Sequence, residues 1–360
     1  VSAAPIITPP RPRPAGTATQ PLVTPPAPKR STRQRQVGRP IKADDFRVPR
    51  KMRENDRSEE HFEEAVKYFE DFDKIAKKNN DQSVTRDNLN YLYQHTNDFM
   101  ETTLDPTGLR GAWYSPRHNE IITPSFQGKS GAEATSAAKT FVHEMGHAID
   151  HELAKKIFGN YGPLKEFRLS SYKELHKQIA KRTGYTQKQG PMVTEQVFKP
   201  IVDNLNDRQK EIIASVERFE DAVNDVTKKR NETLKETETY KEAARIADSM
   251  RNRWRVLGKE EFLKFAAEKD DNRVLQDMMD AFSRGQFRDN GNLMFGHGKS
   301  YYSRPTSRQS EVFTELGQLK LYNQEYYDLV RSDFPDLVEA YETLIEQATS
   351  YVEEEIVDET

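Results

Sequence analysis

The 360-residue chain contains no cysteine. Disulfides and thiolate metal sites are therefore excluded, and any transition-metal site has to be built from histidine and carboxylate. Long apolar runs are also missing, so no membrane partner is expected. The N-terminus lacks an apolar signal core and opens on Val1, which reads as a fragment or processed product of a longer chain that held any targeting information. Acid is missing from residues 1–42, which carry eight lysines and arginines (Arg11, Arg13, Lys29, Arg30, Arg33, Arg35, Arg39 and Lys42). Aromatics are missing before Phe46. A basic stretch can contact nucleic acid, but without interleaved rings to stack on bases the favoured reading is a solvated linker.

Ten of the 19 prolines fall within residues 1–40. Proline fixes φ and has no amide donor, so residues 1–45 are expected as a disordered, Pro-rich basic linker to a preceding partner domain. From Glu59 the pattern turns helical, with Phe62, Ala65, Val66, Phe69, Phe72 and Ile75 at spacings of three and four. A second helix is expected over 86–101. Residues 111–114 and 120–123 flank Ser115-Pro116-Arg117-His118-Asn119 and read as a short hairpin. The strongest helix covers 132–157. Further on, 163–182 and 193–265 are helical and highly charged, with Ile212, Val216, Phe219, Val223 and Val226 forming a coiled-coil-like seam. Residues 285–310, rich in Gly, Asn and Ser, read as loop, and a last helical stretch runs from Ser310 to about Glu355, broken near Pro335.

The chemistry concentrates at His143-Glu144-Met145-Gly146-His147. Residues four apart share a helix face, so His143 and His147 can point two imidazoles at one ion. Zinc takes neutral histidine and keeps a position for water in catalytic sites. Glu144, beside the first histidine, can reach that water as general base without being a ligand. Gly146 gives up about 1 kcal/mol of helix propensity against Ala, which close packing beside the metal would explain.

A third ligand is needed. A histidine six residues after His147 would mark a metzincin, but that residue is Leu153. Asp150 is better placed to orient a histidine, and His151 reads as a helix-surface residue. Glu311 and Glu315 share one face of a later helix, and either can reach the metal. Upstream, the loop Gly296-His297-Gly298-Lys299-Ser300 leads into Tyr301-Tyr302, and a tyrosine hydroxyl or a histidine there can stabilise an oxyanion.

The segment His143 to Asp150 resembles the metal helix of the anthrax lethal factor family of gluzincins. Ser310-Glu311-Val312-Phe313-Thr314-Glu315 resembles that family's second zinc helix, whose first glutamate is the ligand. The resemblance implies Glu311 as third ligand, Glu315 as a neighbouring structural acid and Tyr302 as the nearest match to the catalytic tyrosine, with Tyr301 the alternative. The long interval between His147 and Glu311 is assigned to an inserted helical hairpin. A looser resemblance links the Pro-rich linker and the Gly-His-Gly-x-x-Tyr-Tyr loop to C-terminal peptidase modules of phage minor head proteins, and to polymorphic toxins. It implies capsid or portal partners and a place in a phage virion or host cytoplasm.

The expected fold is therefore α+β and mainly helical, a zincin-like core with a small edge hairpin. Residues 46–162 and 271–360 form the two parts of that core, and 163–270 a long helical hairpin projecting from it. The expected function is zinc-dependent hydrolysis of a peptide bond in a protein substrate laid along the hairpin edge. The rival is a structural or assembly protein whose metal, if any, is not catalytic.

Overall fold

The computed structural model describes residues 103–105, 112–116, 120–122, 131–159, 167–174, 199–258, 261–262, 271–304 and 306–358. The Pro-rich segment and the helices expected over 59–75 and 86–101 lie outside them. What is described is mainly helical. A small sheet comprises β1 (Thr103–Asp105), β2 (Trp113–Ser115) and β3 (Glu120–Ile122) in the order β1-β3-β2. β2 and β3 are antiparallel, with Tyr114 opposite Ile121, while β1 adds in parallel on the other side of β3. The helices are α1 (Gly131–Phe158), α2 (Asp207–Lys228), α3 (Asn231–Lys235), α4 (Glu238–Val256) and α5 (Asp271–Phe282). They continue with α6 (Gln286–Asp289), α7 (Gly298–Tyr302), α8 (Ser307–Tyr322), α9 (Gln324–Asp333) and α10 (Pro335–Asp358). None of the described helices is long and apolar enough to cross a membrane.

α1 lies at the centre. It packs on α8, on α10 and on β2 and β3. Met145, Ala148, Ile149, Leu153 and Ile157 bury one broad face of it. The opposing helix α8 is buried almost throughout, including Val312, Phe313, Leu316 and Leu319.

The expected projecting hairpin is not what forms. α2 packs along α10, and α4 packs on α5 and α9. The seam residues Ile212, Val216, Phe219, Val223 and Val226 are all buried, but against the main core. Phe219, Phe313 and Tyr341 form an aromatic triangle joining α2, α8 and α10, with ring centroids 5.3 to 6.1 Å apart. An amphipathic stripe shows that a helix face is buried, but not which partner buries it. The N-terminus of α2 fixes this docking. Asn206 and Gln209 make a reciprocal capping box, and Gln209 Nε2 also donates to the Ile157 carbonyl (2.7 Å) and to the Tyr351 hydroxyl (3.0 Å).

Two further expectations change. Residues 167–171 are not helical. Their backbone donors go to α1 instead, Leu169 N to the Asp150 carbonyl (3.0 Å) and Ser170 N to Asp150 Oδ1 (2.7 Å). The segment 285–310 is punctuated by the single turns α6 and α7, and α8 starts at Ser307. The last helical stretch breaks at Asn323 and Phe334.

Because Phe219 sits in the main core, Phe219→Ala should destabilise the whole protein by about 3–5 kcal/mol in denaturant titrations. Local melting that leaves a cooperative transition of unchanged midpoint would instead mark α2 as an appendage.

Candidate metal centre

The centre lies where α1 and α8 cross, and glycine sets how closely they approach. A Cβ on Gly146 would stand 2.7 Å from Thr314 Cγ2, a separation real Cβ atoms do not adopt. The helix therefore accepts its weakest internal residue immediately before the second histidine, His147, so that α8 can come near.

His143 and His147 lie one turn apart, their rings edge to face at 4.9 Å. Their Nε2 atoms converge on one carboxylate: His143 Nε2 is 3.4 Å from Glu311 Oε2, and His147 Nε2 is 3.6 Å from Glu311 Oε1. Each Nδ1 is held from behind by α8. His143 Nδ1 is 3.3 Å from Glu315 Oε1, and His147 Nδ1 is 3.1 Å from both Ser310 Oγ and Thr314 Oγ1. Donor atoms sharing a tetrahedral ion at zinc-like bond lengths lie about 3.3–3.4 Å apart, so the spacing fits a metal. Glu311 is 1% exposed and its Oε2 accepts no hydrogen bond, an arrangement a cation would relieve. Residues His143, His147 and Glu311 could therefore hold a metal ion, their ligand atoms all within 4.8 Å of one another.

Electrostatics sharpen the picture. Burial acts to raise the Glu311 carboxyl, but His147, His143 and His297 outweigh it and hold the group well below the usual carboxylate range. Burial pushes His147 down to about 3, against the opposing charge of Glu311. At His143 burial also lowers, yet the Glu315 and Glu311 carboxylates overcome it and raise the imidazole well above its ordinary value. Glu144 is buried, and its Oε2 accepts the backbone N–H of Tyr114 on β2 at 2.8 Å. Burial lifts its carboxyl to about 7, with His143 lowering and Glu311 raising it.

The two tyrosines separate sharply. Tyr301 donates its hydroxyl to Glu311 Oε1, and its ring stacks on His297 at 4.2 Å. Burial and then the Glu311 charge push that hydroxyl up, so it stays a proton donor. Tyr302, the nearer sequence match, is buried and turns its hydroxyl toward the Asp277 carbonyl at 3.4 Å. Adjacent helical residues diverge by about 100°, so only one can face Glu311. His297 is more exposed, with Nε2 3.8 Å from Glu311 Oε2. His151 lies elsewhere, 3.3 Å from the Tyr114 hydroxyl.

Several contributors carry no motif. Asp280 on α5 accepts Arg288 N (2.9 Å) and Gly298 N (3.0 Å), while Gln276 accepts Met294 N and Phe295 N, so α5 shapes the loop bearing His297 and Tyr301. Gly296, at φ 126, could not carry a Cβ without striking the Asp280 carboxylate. The hydroxyls of Ser310 and Thr314 and the Tyr114 amide were equally hidden. A heptad or motif reading flags charged and apolar residues, and these act through a small hydroxyl or the backbone.

No family model matches the chain, and no curated protein or solved structure matches it either.

Gly146→Ala should destabilise the protein by about 1–3 kcal/mol despite its gain in helix propensity, measurable by thermal or urea unfolding. A stabilised variant would show that α1 and α8 can separate freely. Against burial, the Glu315 and Glu311 carboxylates raise His143 in the metal-free protein, so protons compete there with a metal, which takes only the deprotonated ring. Calorimetric zinc titration in buffers of different ionisation enthalpy should therefore show net proton release near neutral pH that falls as pH rises. Metal uptake without proton release would contradict the assignment.

Proposed function

We propose that the chain is a zinc-dependent metalloendopeptidase of the gluzincin type, resembling the lethal factor family, that hydrolyses a peptide bond in a protein substrate. The observation that carries the reading is the joint placement of three groups. Two imidazole Nε2 atoms meet the buried Glu311, the neighbouring acid Glu144 lies outside that ligand group with one oxygen held by the Tyr114 amide, and the Tyr301 hydroxyl reaches Glu311 from α7. A purely structural site would need only the first.

The ligand set of two imidazoles and one carboxylate suits zinc. When bound, zinc supplies a Lewis acid that makes water nucleophilic near neutral pH and polarises the scissile carbonyl. Glu144 then acts through its second oxygen, since Oε2 is anchored by the Tyr114 amide. It would take the proton of the attacking water and return it to the departing amine, a task open to a carboxyl whose basicity burial raises in the metal-free protein. The Tyr301 hydroxyl, high in pKa and therefore protonated, is the group available to donate to the carbonyl oxygen as charge builds on it. This reading moves the oxyanion role from Tyr302 to Tyr301. Among the described residues β2 is an edge strand of its sheet, which supports docking of an extended peptide beside the metal helix.

The test compares the full chain with Glu144→Gln, Tyr301→Phe and Tyr302→Phe on an unbiased peptide library, with zinc content measured for each. Glu144→Gln should keep one zinc and lose at least about 10²–10⁴ in kcat. Tyr301→Phe should lose about 10²–10³ in kcat with KM little changed, and Tyr302→Phe should cut activity far less. Zinc bound throughout with no cleavage by wild type would favour the structural or assembly role.

A further inference from the structure

We infer that Ser310 and Thr314 act jointly as the positioning groups for His147, and that Ser310 carries the charge of the buried Asp150 to that imidazole through its hydroxyl. The inference rests on the metal centre proposed above and concerns how its second ligand is oriented.

The two ligand histidines are treated differently. His143 has a carboxylate directly behind it, Glu315. His147 has two hydroxyls, both from α8 and both 3.1 Å from Nδ1. A hydroxyl has one proton and two lone pairs, so its direction depends on where the proton goes. Ser310 Oγ donates to Asp150 Oδ2 at 3.3 Å and receives Arg168 Nη1 at 3.3 Å. With its proton committed to a carboxylate, the Ser310 oxygen can only accept from His147. That acceptance fixes the proton on Nδ1 and leaves the Nε2 lone pair facing Glu311, as a metal requires.

Asp150 is suited to this role because it is itself immobile. It is fully buried and also accepts Ser170 N at 2.7 Å and Ser170 Oγ at 2.5 Å. Its distance from His147 is bridged by the Ser310 side chain, which belongs to the helix that supplies Glu311. One helix therefore delivers the third ligand and also sets the tautomer of the second. Thr314 supplies another acceptor for the same proton. Its methyl meanwhile fills the space that Gly146 leaves open. Each hydroxyl partly holds the ring when the other is lost, Ser310 more strongly because its own proton is committed to Asp150, and the loss of both leaves Nδ1 with neither acceptor.

The test uses the full chain and zinc alone, with affinity read by competition against a chromogenic chelator and the melting temperature of the zinc-free protein read in parallel. Thr314→Val, which keeps the shape, should weaken zinc by about threefold at most, and Ser310→Ala, which severs the link to Asp150, by about tenfold. Together they should weaken it about a hundredfold, more than the product of the single effects. Thr314→Ser in the Ser310→Ala background, which restores a hydroxyl, should recover the affinity that Thr314→Val loses there. Should the double variant fail to fold, the single Ser310→Ala loss still decides. A double variant within twofold of wild type overturns the proposal. So do single effects that simply multiply, or a Thr314→Ser variant as weak as Thr314→Val, which would mark a packing role. A wild-type chain that binds no zinc overturns both this proposal and the metal centre. Tight zinc with the expected series but no peptide cleavage leaves the proposal standing and removes only the peptidase reading.

Discussion

The contact between Gly146 on α1 and Thr314 on α8 governs everything else in the centre. Two helices that carried ordinary side chains at that crossing would stand farther apart. Glu311 would then lie out of reach of the Nε2 atoms it now meets at 3.4 and 3.6 Å. The hydroxyls of Ser310 and Thr314 would also fall short of His147 Nδ1. The approach costs helix propensity locally and is offset by burial along α8, where nearly every residue from Gln309 to Leu321 is inaccessible to water.

Around that crossing the remaining elements divide the work. α2 and α10 brace α8 through the Phe219, Phe313 and Tyr341 rings, and α10 also packs on α1. The sheet meets the front, where the Tyr114 amide fixes one oxygen of Glu144. α5 controls the third side, since Asp280 and Gln276 bind the backbone of the loop that presents His297 and Tyr301. The ligands thus stand on long helices, where small displacements are resisted by the packed core. The tyrosine hangs from a loop whose shape is set by side-chain acceptors.

The sequence made the metal helix legible because two histidines and an acid at fixed helical spacing are rare and chemically specific. Glu311 was accessible only through a resemblance, since from spacing alone Glu311 and Glu315 were equivalent. The structure separates them by the atoms they face: Glu311 meets the Nε2 atoms of both histidines, Glu315 the Nδ1 atom of His143. The choice between Tyr301 and Tyr302 depends on the phase of a single turn that starts at Gly298 with φ 74, which no periodicity can show in five residues. The seam from Ile212 to Val226 gave the right buried face and the wrong partner, because long-range docking is written in capping and aromatic contacts such as Gln209 to Ile157 and Tyr351. The parallel addition of β1 to β3 left no readable trace, since three residues carry too little alternation.

The ligand set is also spread far along the chain. His143 and His147 leave the ribosome well before Glu311, with roughly 160 residues between them, which at typical elongation rates is a delay of about 10–30 s. During that time the nascent chain exposes a histidine pair with no carboxylate to complete it, and α1 lacks the helix it packs on. The centre therefore closes late, once α8 has been made and docked. Until then a newly made chain cannot bring together the three groups that could hold an ion, so the centre's geometry belongs only to the finished protein.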